Sequence, residues 1–236
     1  MTELLIDIGN SRSKWASWHA GRLGAISSGD LDALLQCPPP ARAWVSCVGH
    51  PEQLARLVAA WPACQLQLAR SELAAAGVIN GYRDPSRLGV DRWLALLAAR
   101  CLSRAPQLVV DAGTAITLDL LDEFGQHKGG WIAPGFGLLR HSLTQGTAAV
   151  RPAGEGDDGG FGRDTAAAVN GGCAAMLVGV VDEALQRASR LLGSRLPLRV
   201  VVSGGDGPLL AAARSDWRRV DNLVLRGLAV VAAGHS

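Results

Sequence analysis

Three short clusters in this 236-residue chain combine acids, hydroxyls and bases in ways that suit phosphate chemistry. The first, Asp7-Ile8-Gly9-Asn10-Ser11-Arg12-Ser13-Lys14, follows an apolar run and reads as a glycine-containing hairpin after a buried strand. Such a turn exposes backbone N–H groups, and Asn10, Ser11 and Ser13 add donors, so it can cradle a polyphosphate. Lys14 then supplies positive charge, or it is simply a solvated strand residue. Asp7, at the strand end, is placed to hold Mg2+ through waters, because Mg2+ favours few carboxylates together with phosphates.

The second cluster is Gly89-Val90-Asp91-Arg92, preceded by a turn-rich loop that contains Tyr82. Asp91 opens a helix, so it is either an N-cap, worth about 0.5–2 kcal/mol, or a carboxylate that accepts a proton from a substrate hydroxyl. A helix N-terminus would keep it ionised and make it a weak base. Phosphoryl transfer tolerates a weak base, since its loose transition state needs an oriented nucleophile more than early deprotonation. Arg92 could fork onto a substrate carboxylate, where two parallel bonds give geometry as well as energy. Tyr82 is a loop packing residue or a pocket wall. In the third cluster, Leu108 to Asp119, an apolar strand ends in Asp111, turns at Gly113 and Thr114, and restarts as Ala-Ile-Thr-Leu-Asp. Asp111 and Thr114 therefore sit at a strand end and a hairpin tip.

Other signals fail on context. Gly154-Glu155-Gly156-Asp157-Asp158-Gly159 satisfies G-x-G-x-x-G, but it follows no strand, opens no helix and would present acids to a phosphate. There is no P-loop signature and no G-x-S-x-G elbow. Val202-Ser203-Gly204-Gly205-Asp206-Gly207 is a strand running into glycines before a helix: a plain turn, or bare backbone that a nucleotide's base or ribose could approach.

The elements that must carry these clusters come in two sets. Asp7 and Asp111 close the same phrase about 100 residues apart, one small domain's length, which implies two related α/β halves. In each half a three-strand meander precedes alternating helices and strands. The first has strands over 14–20, 22–28, 43–48 and 65–69, with helices over 30–36 and 51–61. A helix over 91–102 leads into the second half. There, strands over 109–111, 116–121, 128–132, 198–203 and 217–220 join helices over 137–144, 164–192 (interrupted at Gly171-Gly172), 207–214 and 223–233. We place the halves at 1–106 and 107–236, with a loose acidic stretch at 152–162.

Composition sets bounds. With 48% apolar and 19% charged residues the chain describes a compact globule. A net charge of +2 gives no electrostatic case for nucleic acid or an anionic membrane. The longest largely apolar runs, 93–99 and 174–181, fall short of the roughly 18 residues a membrane span needs, and no signal peptide is visible, so a cytoplasmic location is expected. Five scattered cysteines and five histidines without ligand spacing indicate reduced thiols and no zinc or disulfide framework.

Taken in order, Asp7-x-Gly-Asn-x-x-x-Lys14, Gly89-x-Asp91-Arg92, Asp111-Ala-Gly-Thr114-Ala-x-Thr-x-Asp119, Gly129-Gly130-x-Ile-x-Pro-Gly135 and Gly162-x-x-Thr165 closely resemble type III pantothenate kinase, once named after the Bvg accessory factor. The resemblance runs from about residue 3 to 230. It implies the acetate/sugar kinase, chaperone and actin superfamily: a duplicated actin-like (ribonuclease H-like) α/β fold, each half a mixed sheet flanked by helices, with a cleft between. The implied activity is ATP-dependent phosphorylation of pantothenate to 4'-phosphopantothenate, the first step towards coenzyme A. Carried over by motif, residues Asp7–Lys14 bind ATP phosphates and Thr114 contacts ATP. Asp91 accepts the proton of the pantothenate hydroxyl, while Tyr82, Gly89, Val90, Arg92 and Thr165 line the substrate pocket. Asp111 ligates a monovalent cation, K+ or NH4+, and the enzyme is a homodimer. One departure is Asn10-Ser11 where the family usually has Asn-Thr, which keeps the hydroxyl. Two rival readings are a non-catalytic accessory protein on the same scaffold and a kinase of another small molecule.

Overall fold

Alternation builds the first sheet. In β1 (Glu3–Ile8), Leu4, Ile6 and Ile8 point into one core, which leaves Leu5 and Asp7 on the opposite face. β1 pairs antiparallel with β2 (Ser13–His19), and β2 pairs with β3 (Arg22–Gly29) across an irregularity between Ala16 and Trp18. After α1 (Leu31–Leu35), β4 (Arg42–Cys47) returns parallel to β1; α2 (Pro51–Ala60) then leads to β5 (Gln65–Leu68), parallel to β4. The sheet order is β3-β2-β1-β4-β5, and its core gathers Ile6, Ile8, Trp15, Leu34, Val45, Leu57 and Trp61. A small antiparallel pair absent from the sequence reading, β6 (Ala74–Ala75) and β7 (Val78–Ile79), precedes a 3-10 turn at Pro85–Arg87 and α3 (Val90–Leu102).

The second sheet repeats the order: β8 (Gln107–Ala112), β9 (Ala115–Leu121), β10 (His127–Pro134), then β11 (Arg199–Ser203) and β12 (Arg218–Arg219), arranged β10-β9-β8-β11-β12. The remaining helices are α4 (Phe136–Gly146), α5 (Thr165–Leu192), α6 (Gly207–Ala213) and α7 (Leu223–Gly234). The recurring strand order, meander first and parallel strands after, is the duplication the repeated phrase announces. This computed structural model describes residues 3–147, 150, 160–193 and 196–234. The glycine-rich 154–159 segment and most of the 152–162 stretch lie outside them.

The chain forms two compact units. One comprises 1–104, 121–129 and 222–236; the other comprises 105–120 and 130–221. In the first, α7 packs on α3, β1 and β4 with Leu223, Leu225 and Leu228 fully buried. A Cβ on Gly227 would lie 2.1 Å from the Leu94 carbonyl oxygen, so α7 reaches this closeness to α3 only with glycine there. In the second, Leu108, Val110, Ile116, Leu118, Val200 and Val202 meet Leu177, Val181 and Ala184 of α5.

Two expectations change. Gly171-Gly172 do not break α5, which is one continuous helix of 28 residues. A helical glycine costs about 1 kcal/mol against alanine, and the buried stripe Val169, Asn170, Cys173 and Leu177 on either side holds the helix together. By length and composition α5 is also apolar enough to cross a membrane, unlike the shorter runs seen in sequence. One stripe of it, with Leu177, Val181 and Ala184, packs into the core of the second unit, and Asp182, Glu183, Arg187 and Arg190 occupy its C-terminal half.

Candidate active site

The first cluster forms the tip of the β1–β2 hairpin. Asp7 pairs with Lys14 and Ile8 with Ser13, which leaves Gly9 to Arg12 as the turn. Ser13 is buried at 1% exposure, Asp7 and Lys14 are half-buried, and Asn10, Ser11 and Arg12 are exposed. A Cβ on Gly9 would stand 3.1 Å from the Arg12 carbonyl oxygen, so glycine permits the tight turn. On the other side of β1, Asp7 lies in register with Ser46 and Ile8 with Cys47. Burial pushes the Cys47 thiol up, the His50 backbone partly opposes this, and the Glu52 and Asp7 carboxylates push it up further.

The second cluster sits where the 80–89 loop enters α3, also within the first unit. The helix begins one residue earlier than the sequence suggests: Gly89 is the N-cap without a side-chain bond, and Asp91 lies in the first turn. The Arg92 N–H donates to Asp91 Oδ1 at 2.8 Å, so the carboxylate is anchored on a first-turn amide. A Cβ on Gly89 would fall 2.6 Å from that same Asp91 oxygen, so the glycine leaves the carboxylate its place. Arg92, only 5% exposed, donates from Nη1 to the Tyr82 hydroxyl at 2.7 Å and lies over its ring at 5.5 Å. Tyr82 stacks in turn on His127, ring centroids 6.0 Å apart. The structure thus joins Tyr82, Gly89, Val90, Asp91 and Arg92 in one locality.

Two residues that organise this locality escape the sequence reading. Asn80, 5% exposed, donates to the Glu72 and Pro85 carbonyls at 3.1 and 3.2 Å and accepts the Tyr82 N–H at 3.0 Å, so it shapes the whole loop. The Asn80-Gly81 dipeptide is a turn signal that could have flagged it. His127, 1% exposed, backs the Tyr82 ring and lies 3.4 Å from the Gly81 N–H through Nδ1; nothing near it in sequence announces this.

The third cluster belongs to the second unit. Asp111 lies at the end of β8 in register with the buried Ser203 of β11. The Gly113 N–H donates to the Ala115 carbonyl and the Gly135 N–H to that of Thr114, each at 3.0 Å, leaving Thr114 exposed at the tip. Bare backbone surrounds it: a Cβ on Gly135 would lie 1.9 Å from the Gly113 carbonyl oxygen. Gly204, at φ +92°, would bring one 2.1 Å from that of Ala112. Asp206 accepts the Phe136 N–H at 3.2 Å, which ties the start of α4 to this turn. Burial raises the Asp206 carboxyl above the ordinary range and that N–H pulls it partly back. Thr165 is the exposed first residue of α5, whose N-cap, Asp164, accepts the Ala167 N–H at 2.8 Å.

Oxygen donors suit hard cations. Asp7 and Asp111 each offer a half-buried carboxylate beside a glycine turn. Among the described residues no three His, Cys, Asp or Glu side chains cluster. A site with one carboxylate ligand fits an ion that takes its remaining ligands from water and phosphates.

Comparison with known proteins points one way. The family model described as "Type III pantothenate kinase" matches residues 3–187. A type III pantothenate kinase of Chromobacterium violaceum is 42% identical over 98% of this chain and 99% of its own length. The corresponding protein of Laribacter hongkongensis is 41% identical over 97% and 98%, and that of Xanthomonas axonopodis 38% over 100% and 99%. Among solved structures, a Campylobacter jejuni protein assigned to the Baf family of transcriptional activators aligns with TM-score 0.67 at 21% identity, covering 98% of each chain. A Sinorhizobium meliloti protein assigned as a 2-dehydro-3-deoxygalactonokinase aligns at 0.59 and 16% identity over 99% of each. At these identities the structural likenesses speak for the fold alone.

Proposed function

The chain belongs to the type III pantothenate kinase family, enzymes that phosphorylate pantothenate with ATP on the way to coenzyme A, and from that premise we propose how its residues divide the work. It is a kinase, with ATP and a divalent metal ion as the family implies. The observation that carries the residue assignment is the Asp91–Arg92–Tyr82 arrangement at the start of α3. It holds the Asp91 carboxylate on the Arg92 backbone N–H and the buried Arg92 guanidinium on Tyr82, so one short segment carries both an acid and a base for an acceptor bearing a hydroxyl and a carboxylate.

In this reading Arg92, backed by Tyr82, takes the pantothenate carboxylate, with Gly89, Val90 and Thr165 lining the pocket. Asp91 orients the pantothenate hydroxyl and accepts its proton as the oxygen bonds to the γ-phosphorus and the bond to the ADP oxygen breaks. The Asp7–Lys14 hairpin (Asp7, Ile8, Gly9, Asn10, Ser11, Arg12, Ser13, Lys14) holds the phosphates through backbone N–H groups and the Lys14 charge; Thr114 contacts the nucleotide. Asp7 would hold Mg2+ through water, and bound Mg2+ supplies charge neutralisation on the phosphates. Asp111 would hold the monovalent cation, K+ or NH4+. We take 1–106 and 107–236 as the repeat units of the duplication, distinct from the compact units into which the chain packs. We also propose a homodimer, supported by the exposed apolar side chains Ile132, Leu138, Leu143 and Met176 on β10, α4 and α5. We also propose a cytoplasmic location, in keeping with the bacterial relatives.

The cation assignment has its own test. Activity should fall when K+ is replaced by a bulky organic cation, and Asp111→Asn should shift half-saturation by K+ upward by about tenfold, the worth of one lost charged contact. Activity independent of K+ in both proteins contradicts it.

A further inference from the structure

The β4–α2 connection reaches the tip of the Asp7–Lys14 hairpin. β4 ends beside β1, with Cys47 in register with Ile8, and the chain turns at Gly49 (φ +76°) before α2. His50 occupies the N-cap position of α2 but makes no side-chain cap bond; Pro51, which has no N–H, follows it. The His50 ring turns to the hairpin instead. Its Nε2 lies 3.1 Å from Asn10 Oδ1 and its Nδ1 lies 3.1 Å from Glu52 Oε1. The Cys47 thiol donates to the His50 carbonyl, so the turn that aims the ring is itself held. With 22% side-chain exposure the ring is largely enclosed.

The chemistry of the contacts makes this a tie at both ends. Glu52 can only accept, so Nδ1 carries a proton. Nε2 then either carries the second proton of an imidazolium and donates to Asn10 Oδ1, or accepts from the Asn10 amide turned over. Either way Asn10 is bonded. Glu52 is held below the ordinary carboxylate range, first by its own backbone N–H and then by the His50 ring.

We propose that His50 is a positioning residue for nucleotide binding: it fastens Asn10, and with it the hairpin tip, to the β4–α2 connection, so that the N–H groups are ordered before the phosphates arrive. The gain is pre-organisation, because an exposed glycine turn would otherwise lose its freedom when ATP binds. This rests on the reading that the hairpin holds the ATP phosphates.

The test is steady-state kinetics of the full enzyme with each substrate varied in turn. His50→Ala should raise the ATP KM about fivefold, equivalent to about 1 kcal/mol, with the pantothenate KM and the unfolding temperature unchanged. His50→Gln, whose amide can still donate to Asn10, should recover most of the loss. His50→Ala added to Asn10→Ala should cost little more than Asn10→Ala alone, since His50 acts through that one contact. An ATP KM for His50→Ala close to wild type, or a parallel rise in both KM values with a lowered unfolding temperature, overturns the proposal. Lys14→Ala separates the two layers. If it raises the ATP KM while His50→Ala does not, the positioning role alone falls. If neither variant changes it, the hairpin is not the phosphate site and both readings fall.

Discussion

Asp91→Asn is expected to lower kcat by about 10²–10⁴-fold, the range a positioned proton acceptor contributes, with little change in the pantothenate KM. The substitution is nearly isosteric, and its remaining side-chain oxygen can keep the bond from the Arg92 N–H, so the start of α3 and the unfolding temperature should be preserved. A fall in kcat at constant KM marks an interaction made only in the transition state. If kcat stays near wild type, the carboxylate serves only to satisfy a first-turn amide. Kinetics alone distinguishes the two roles, because a carboxylate that only satisfied that amide would be replaced by asparagine at little cost.

Arg92→Lys is expected to act on the other parameter. The guanidinium is buried, donates to the Tyr82 hydroxyl and lies over the Tyr82 ring. A lysine keeps the charge but loses the planar fork and its stacking. The pantothenate KM should rise about 30-fold or more, corresponding to a lost charged hydrogen bond of about 2 kcal/mol, with the ATP KM little altered. Wild type should also discriminate strongly against an analogue whose carboxylate is replaced by a hydroxyl, and the variant should not. Tyr82→Phe removes only the hydroxyl, leaves the ring on His127, and should give a smaller rise in the same KM. Pantothenate KM values near wild type in both variants would remove Arg92 from the carboxylate.

The features legible in sequence are those encoded over a few adjacent residues. The phrase ending in Asp7 and again in Asp111 exposes the duplication, and the two sheets share one strand order. The β1–β2 hairpin is readable because Gly9 and the flanking alternation lie in one stretch. What sequence leaves out depends on contacts between distant segments. His127 reaches Tyr82 from the first position of β10, and His50 reaches Asn10 from the β4–α2 connection. No periodicity records either contact. The helix start shows a third limit. Asp91 reads as a cap, yet the helix begins at Val90, because the loop before it is shaped by Asn80 and the 3-10 turn rather than by a capping side chain. The unbroken α5 is a case of burial overriding a glycine pair that would weaken an exposed helix.

The most direct test of the whole account is product formation by the purified chain given pantothenate, Mg-ATP and K+. ADP and 4'-phosphopantothenate should appear in equal amounts, dependent on pantothenate. No phosphorylated product above the background of ATP hydrolysis, with K+ or NH4+ present, would contradict it.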